Sequence, residues 1–105
     1  MSVIQSVLEE EAERMQKKIT FYESMLLNLP RGSIFIRKMG KQSFAYRKKK
    51  VKGKVVSEYL GNVTNENVHN EIKLSEEYQR IKANIKYIKE ELHKLKKALV
   101  SIEDK

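Results

Sequence analysis

Ten lysine or arginine side chains and no aspartate or glutamate fall between Arg31 and Lys54. Elsewhere the chain holds twelve basic residues against fourteen acidic ones, so its net charge of +8 is concentrated in this one stretch. Cations at short intervals can meet successive phosphates, and the affinity that results comes largely from releasing condensed counterions. The candidate contacts to nucleic acid are Arg31, Arg37, Lys41, Arg47, Lys48, Lys49, Lys50, Lys52 and Lys54. Among them Arg37, Arg47, Lys49 and Lys52 are expected closest to phosphate, with Arg31, Lys41 and Lys50 at the edges. Arg47 is the expected base reader, because a guanidinium fork pairs with guanine. Phe35, Phe44, Tyr46 and Tyr59 offer ring faces on which unpaired bases stack, with Phe44 and Tyr46 the pair singled out. Lysines on strands also guard sheet edges, and aromatics also fill small cores. Edge protection needs a few lysines, however, and not ten cations without one acid.

Three strands should carry these residues. Ser33 to Lys38 alternates Ile34 and Ile36 with Phe35 and Arg37. Ser43 to Lys49 sets Phe44, Tyr46 and Lys48 against Ala45, Arg47 and Lys49. Lys54 to Leu60 alternates Val55 and Tyr59 with Val56 and Leu60. Gly40 and Gly53 mark tight turns, so the strands are antiparallel neighbours in the order 1-2-3. The meander therefore spans residues 33–60.

Helices flank it. Residues 3–28 place Leu8, Ala12, Met15, Ile19, Tyr22, Leu26 and Leu29 at alternating spacings of four and three, a heptad seam that Pro30 closes. Residues 65–102 hold a longer seam from Leu74 through Tyr78, Ile81, Ile85, Ile88, Leu92, Leu95 and Leu99 to Ile102, with Thr64 or Asn65 at its cap. The expected fold is α+β, one domain over residues 1–105, with the helices paired as an antiparallel coiled coil. Charge favours that orientation: Glu9, Glu10, Glu11 and Glu13 would lie near Lys94, Lys96 and Lys97. Arg14, Lys17 and Lys18 would lie near Glu90 and Glu91, and Glu23 near Arg80 and Lys82. Val68 and Ile72 are left to cover one sheet face. Two helices bury little surface, so a homodimer through the seams is also expected.

At 105 residues the chain suits one domain, and 40% hydrophobic with 34% charged residues suits a folded one with a thin core. The absence of cysteine excludes disulfides, thiol nucleophiles and thiolate metal sites. No stretch approaches the roughly 18 apolar residues of a membrane span, and a cytoplasmic protein is expected. Glu90-x-x-His93 has the spacing of carboxylate-bridged metal bundles, but those need two such motifs and two further glutamates. His69 has no helically spaced partner. No phosphate loop, nucleophile elbow or nucleophile–base spacing appears, so no enzyme, metal or cofactor is expected.

The run Leu29-Pro30-Arg31-Gly32-Ser33-Ile34 is followed by Gly40-Lys41, Tyr46-Arg47 and Gly53-Lys54-Val55-Val56-Ser57-Glu58-Tyr59-Leu60-Gly61. Here the chain resembles small uncharacterised bacterial and mobile-element proteins, which carry a similar meander before a helical coiled segment. A similar meander lies near the start of some transposases, and integrase arm-binding domains offer a looser analogy of fold. The resemblance implies a phage or mobile-element setting and a DNA partner ahead of RNA. Two departures stand out: a single aromatic pair, Phe44 and Tyr46, and an unusually basic second hairpin from Arg47 to Lys54. The same setting implies an alternative, since some anti-CRISPR proteins occlude a host nucleoprotein machine. The basic sheet would then meet an acidic surface of that complex. A coiled-coil scaffold is the third possibility.

Overall fold

A computed structural model describes residues 2–103. Its order is α1 (Val3–Leu26), β1 (Ser33–Met39), β2 (Gln42–Val51), β3 (Lys54–Asn62) and α2 (Glu66–Glu103). This is the expected α+β arrangement, with strand order β1-β2-β3 and both pairings antiparallel. Two compact units emerge: residues 28–80, and residues 1–27 with 81–105.

The sheet unit begins with its turns. Met39 pairs with Gln42 and Val51 with Lys54, so each hairpin closes over two residues. In the second, Lys52 takes φ +53 ahead of Gly53. Positive φ at both central residues matches the twist of the flanking strands, and the lysine accepts a left-handed conformation that L-residues usually avoid. Between the pairs Ala45–Gly61 and Tyr46–Tyr59, Leu60 stands unopposed, a bulge that bends β3.

The first turns of α2 lie across one face of this sheet. Ala45 is 0% exposed and Val68 only 4%. A side chain at Gly61 would come within 3.0 Å of Val68, so the helix approaches the strand more closely than a Cβ would allow. Four residues apart along the helix, Glu71 pairs with Arg47, Ser75 is buried, and the Gln79 Nε2 donates to the Gly32 carbonyl at 3.4 Å. The helix thus crosses from β3 over β2 to the entry of β1. Small residues on this path, Ala45, Gly61 and Ser75, permit the approach.

Asn65 caps α2: its Oδ1 accepts from the Asn67 amide at 2.9 Å, while its carbonyl accepts from the His69 amide. Just before it, Asn62 Oδ1 accepts from the Thr64 amide and hydroxyl. Asn65→Ala should destabilise the sheet unit by about 1 kcal/mol, read as a lower midpoint in urea unfolding; an unchanged midpoint would deny the cap its role.

In the helical unit, Ser2 caps α1 by accepting from the Gln5 amide at 3.0 Å. Ile19, Ile81, Ile85 and Leu92 are buried, and every other residue of the two expected seams is at least partly withdrawn from solvent. Gln16, Ile19 and Glu23 line one cleft with Lys89, Leu92, His93 and Lys96. That arrangement is compatible with antiparallel pairing. The same cleft takes in Glu23 and Lys89, the latter seven residues on from the expected Lys82. Among the described residues, the ion pairs of the two helices lie within one helix: Arg14 with Glu11, Arg80 with Glu77, and Lys94 with Glu91. Partners three residues apart meet without fixing two elements, so local pairing wins. The hydrogen bond from Arg14 to Glu11, with its charge, holds that guanidinium above its ordinary range.

Among the described residues, no helix is long and apolar enough to cross a membrane. Nor does any group of three or more His, Cys, Asp or Glu assemble that could hold a metal ion.

Candidate nucleic-acid interface

Alternation divides the basic residues between two faces with different fates. On the face beneath α2 stand Ile34, Ile36, Ala45, Arg47, Lys49, Val56 and Glu58, as the register requires. Arg47, the expected base reader, belongs here. Its side chain is only 13% exposed and its guanidinium pairs with Glu71. Lys49 Nζ lies 3.3 Å from Glu58. Both cations placed closest to phosphate on β2 are therefore matched by carboxylates. A paired, half-buried guanidinium must surrender a charged hydrogen bond before reaching a base.

The opposite face is open. Phe35, Arg37, Phe44, Tyr46, Lys48, Lys50, Val55 and Tyr59 share it, and it carries no acid. Four rings form one connected cluster. Phe35 stacks on Tyr46 with centroids 5.3 Å apart and planes 16° from parallel. Tyr46 meets Tyr59 edge-on at 5.4 Å, and Tyr59 lies 6.2 Å from Phe44. Tyr59 remains 59% exposed, and the other three are partly so. Cations sit over the cluster: the Arg37 guanidinium carbon is 5.7 Å from the Tyr46 centroid, and Lys48 Nζ is 4.9 Å from that of Phe35. A cation over a ring face is held electrostatically while keeping its charge in water.

The remaining expected contacts lie at the ends of the strands, and Lys54 alternates onto the same side as Lys49 and Val56. Arg31 precedes β1, Lys41 and Lys52 occupy the hairpin turns, and Lys50 and Lys54 flank the second turn; all are exposed. Among the described residues, Arg31, Arg37, Lys41, Lys48, Lys50, Lys52 and Lys54 have no carboxylate within 4.0 Å. The fold brings Arg37 and Lys48 onto the rings, leaves four lysines toward the turns, and withdraws Arg47 and Lys49 to the other face. The expected stacking pair, Phe44 and Tyr46, widens to four with Phe35 and Tyr59. Their signal was present in the alternation, because Tyr46 pairs with both Phe35 and Tyr59 once the strands align.

Chemically, this face offers flat apolar rings with unpaired cations around them. Rings open to water accept the π-face of a planar partner, and the cations favour one bearing negative charge. A family model described as a domain of unknown function, DUF6788, matches residues 1–69, which take in α1, the whole sheet and the opening turn of α2. No curated protein and no solved structure matches the chain.

Proposed function

This chain belongs to the DUF6788 family, a domain of unknown function, and we propose that it binds nucleic acid, without catalysis, through the open face of its sheet. One observation carries the reading: the four-ring cluster of Phe35, Phe44, Tyr46 and Tyr59 lies open beside Arg37 and Lys48, and no carboxylate shares its face. A core has no use for rings that stay partly exposed beneath cations. A solvated face has no use for four rings in contact. Unpaired bases answer both features, stacking on the rings while their phosphates meet the lysines.

The test is a fluorescence-anisotropy titration against single-stranded DNA, single-stranded RNA and duplex DNA at two salt concentrations. Binding should weaken steeply with salt. Lys48→Gln should flatten the slope of log affinity against log salt by about 0.7 for a single strand, one phosphate contact's worth. Arg47→Gln should leave that slope unchanged, because its charge is committed to Glu71. No binding to any probe at low salt would sink the proposal and turn attention to an acidic protein surface.

A further inference from the structure

Among the described residues, Lys50, Lys52 and Lys54 are unpaired and lie beyond the rings, toward the tip of the second hairpin, and that separation specifies a ligand. Pairing between β1 and β2 stops at Ser33–Lys48. Beyond it Lys49–Val56, Lys50–Val55 and Val51–Lys54 pair only with each other, so the second hairpin projects as a two-stranded ribbon. All its residues from Lys48 to Ser57 are exposed, including Val51, Val55 and Val56, so neither of its faces is covered. It carries Lys48, Lys49, Lys50, Lys52 and Lys54, and no aromatic residue. The rings all lie at its base. Four residues separate Tyr46 from Lys50, roughly 13 Å of extended strand.

Building on the nucleic-acid reading above, we infer that the preferred ligand is a duplex bearing a single-stranded tail. The tail lies on the rings and the ribbon enters the groove of the adjoining duplex. Bases inside a duplex have both faces occupied by their neighbours, so the rings require an unpaired strand. The ribbon has the opposite character. Its two strands lie about 5 Å apart and fit a major groove about 12 Å wide, and its lysines meet phosphates on either wall. Without rings it gains little from loose bases. Only a strand leaving a duplex meets both surfaces of one sheet at once.

Three probes decide it at one salt concentration: a duplex, one of its strands alone, and the same duplex extended by a single-stranded tail. The tailed duplex should bind at least about tenfold tighter than either simpler probe, because its second contact becomes intramolecular. Tyr46→Ala should bring the tailed duplex down to the affinity of the plain duplex. The double variant Lys50→Gln with Lys54→Gln should bring it down to that of the single strand. Both lysines are exposed, and circular dichroism verifies that each variant is folded. If the simpler probes bind but the tail adds no affinity, this inference fails while nucleic-acid binding stands. If no probe binds, both fail.

Discussion

Gly32→Ala should destabilise the sheet unit by about 2–4 kcal/mol, the largest stability change expected of any single methyl group added to this chain. Gly32 takes φ +96, and a Cβ there would stand 2.4 Å from the Lys48 carbonyl oxygen. The obstacle is backbone, so no rotamer change relieves it. Moving the chain away would break the Ser33–Lys48 pairing and the hydrogen bond from Gln79 to the Gly32 carbonyl. Gly40→Ala isolates the conformational part, since Gly40 also has positive φ but open space around it. That change should be worth only about 1 kcal/mol. Urea unfolding followed by far-ultraviolet circular dichroism compares the two. Equal midpoints would show that the approach of Gly32 to β2 contributes nothing beyond its φ.

Tyr46→Ala should weaken single-strand binding about 5- to 160-fold, the range for losing one stacked base. Its ring is the centre of the cluster, touching Phe35 on one side and Tyr59 on the other with Arg37 above it. Removing it separates the remaining rings and leaves Arg37 without its seat. Tyr87→Ala is the matched control, an exposed tyrosine on α2 outside the sheet. Anisotropy with a single-stranded probe reads both variants. Equal loss in the two, or loss in neither, would remove the rings from the interface.

Much of this architecture is written in local pattern. Gly40 and Gly53 sit in the two-residue turns, and the alternation between them places every strand within a few residues of its observed ends. The long seam from Leu74 to Ile102 keeps each member away from full exposure. What local pattern does not contain is the choice of face. Phe44, Tyr46 and Lys48 alternate with Ala45, Arg47 and Lys49 as evenly as any strand can, and either set could lie beneath a helix. The deciding features are small: Ala45 and Gly61 leave room for Val68, while the ring-bearing face has none to offer. The side on which Arg47 lies is hidden for the same reason. Its partner Glu71 lies 24 residues away, and no count of nearby charge reveals that match. Arg14 and Lys94 show the reverse case, each meeting an acid three residues distant on its own helix.

The crossing of α2 over the sheet also sets an order of assembly. Both hairpins close over two residues and form by contacts close in sequence, on a timescale of about 1–10 μs. The fastening of Gly32 by Gln79 spans 47 residues, and that of Arg47 by Glu71 spans 24. Such distant partners meet only after the intervening chain is arranged, so these contacts belong late in folding. On a growing chain, the meander would exist as an unfastened sheet until Glu71 and Gln79 have been made. The family match ends at residue 69, just short of both. The matched segment thus brings Val68 to Gly61 but lacks the two side chains that hold the middle strand and the first strand's entry. It holds every strand and every ring of the open face, and its sheet is fastened by side chains beyond its own boundary.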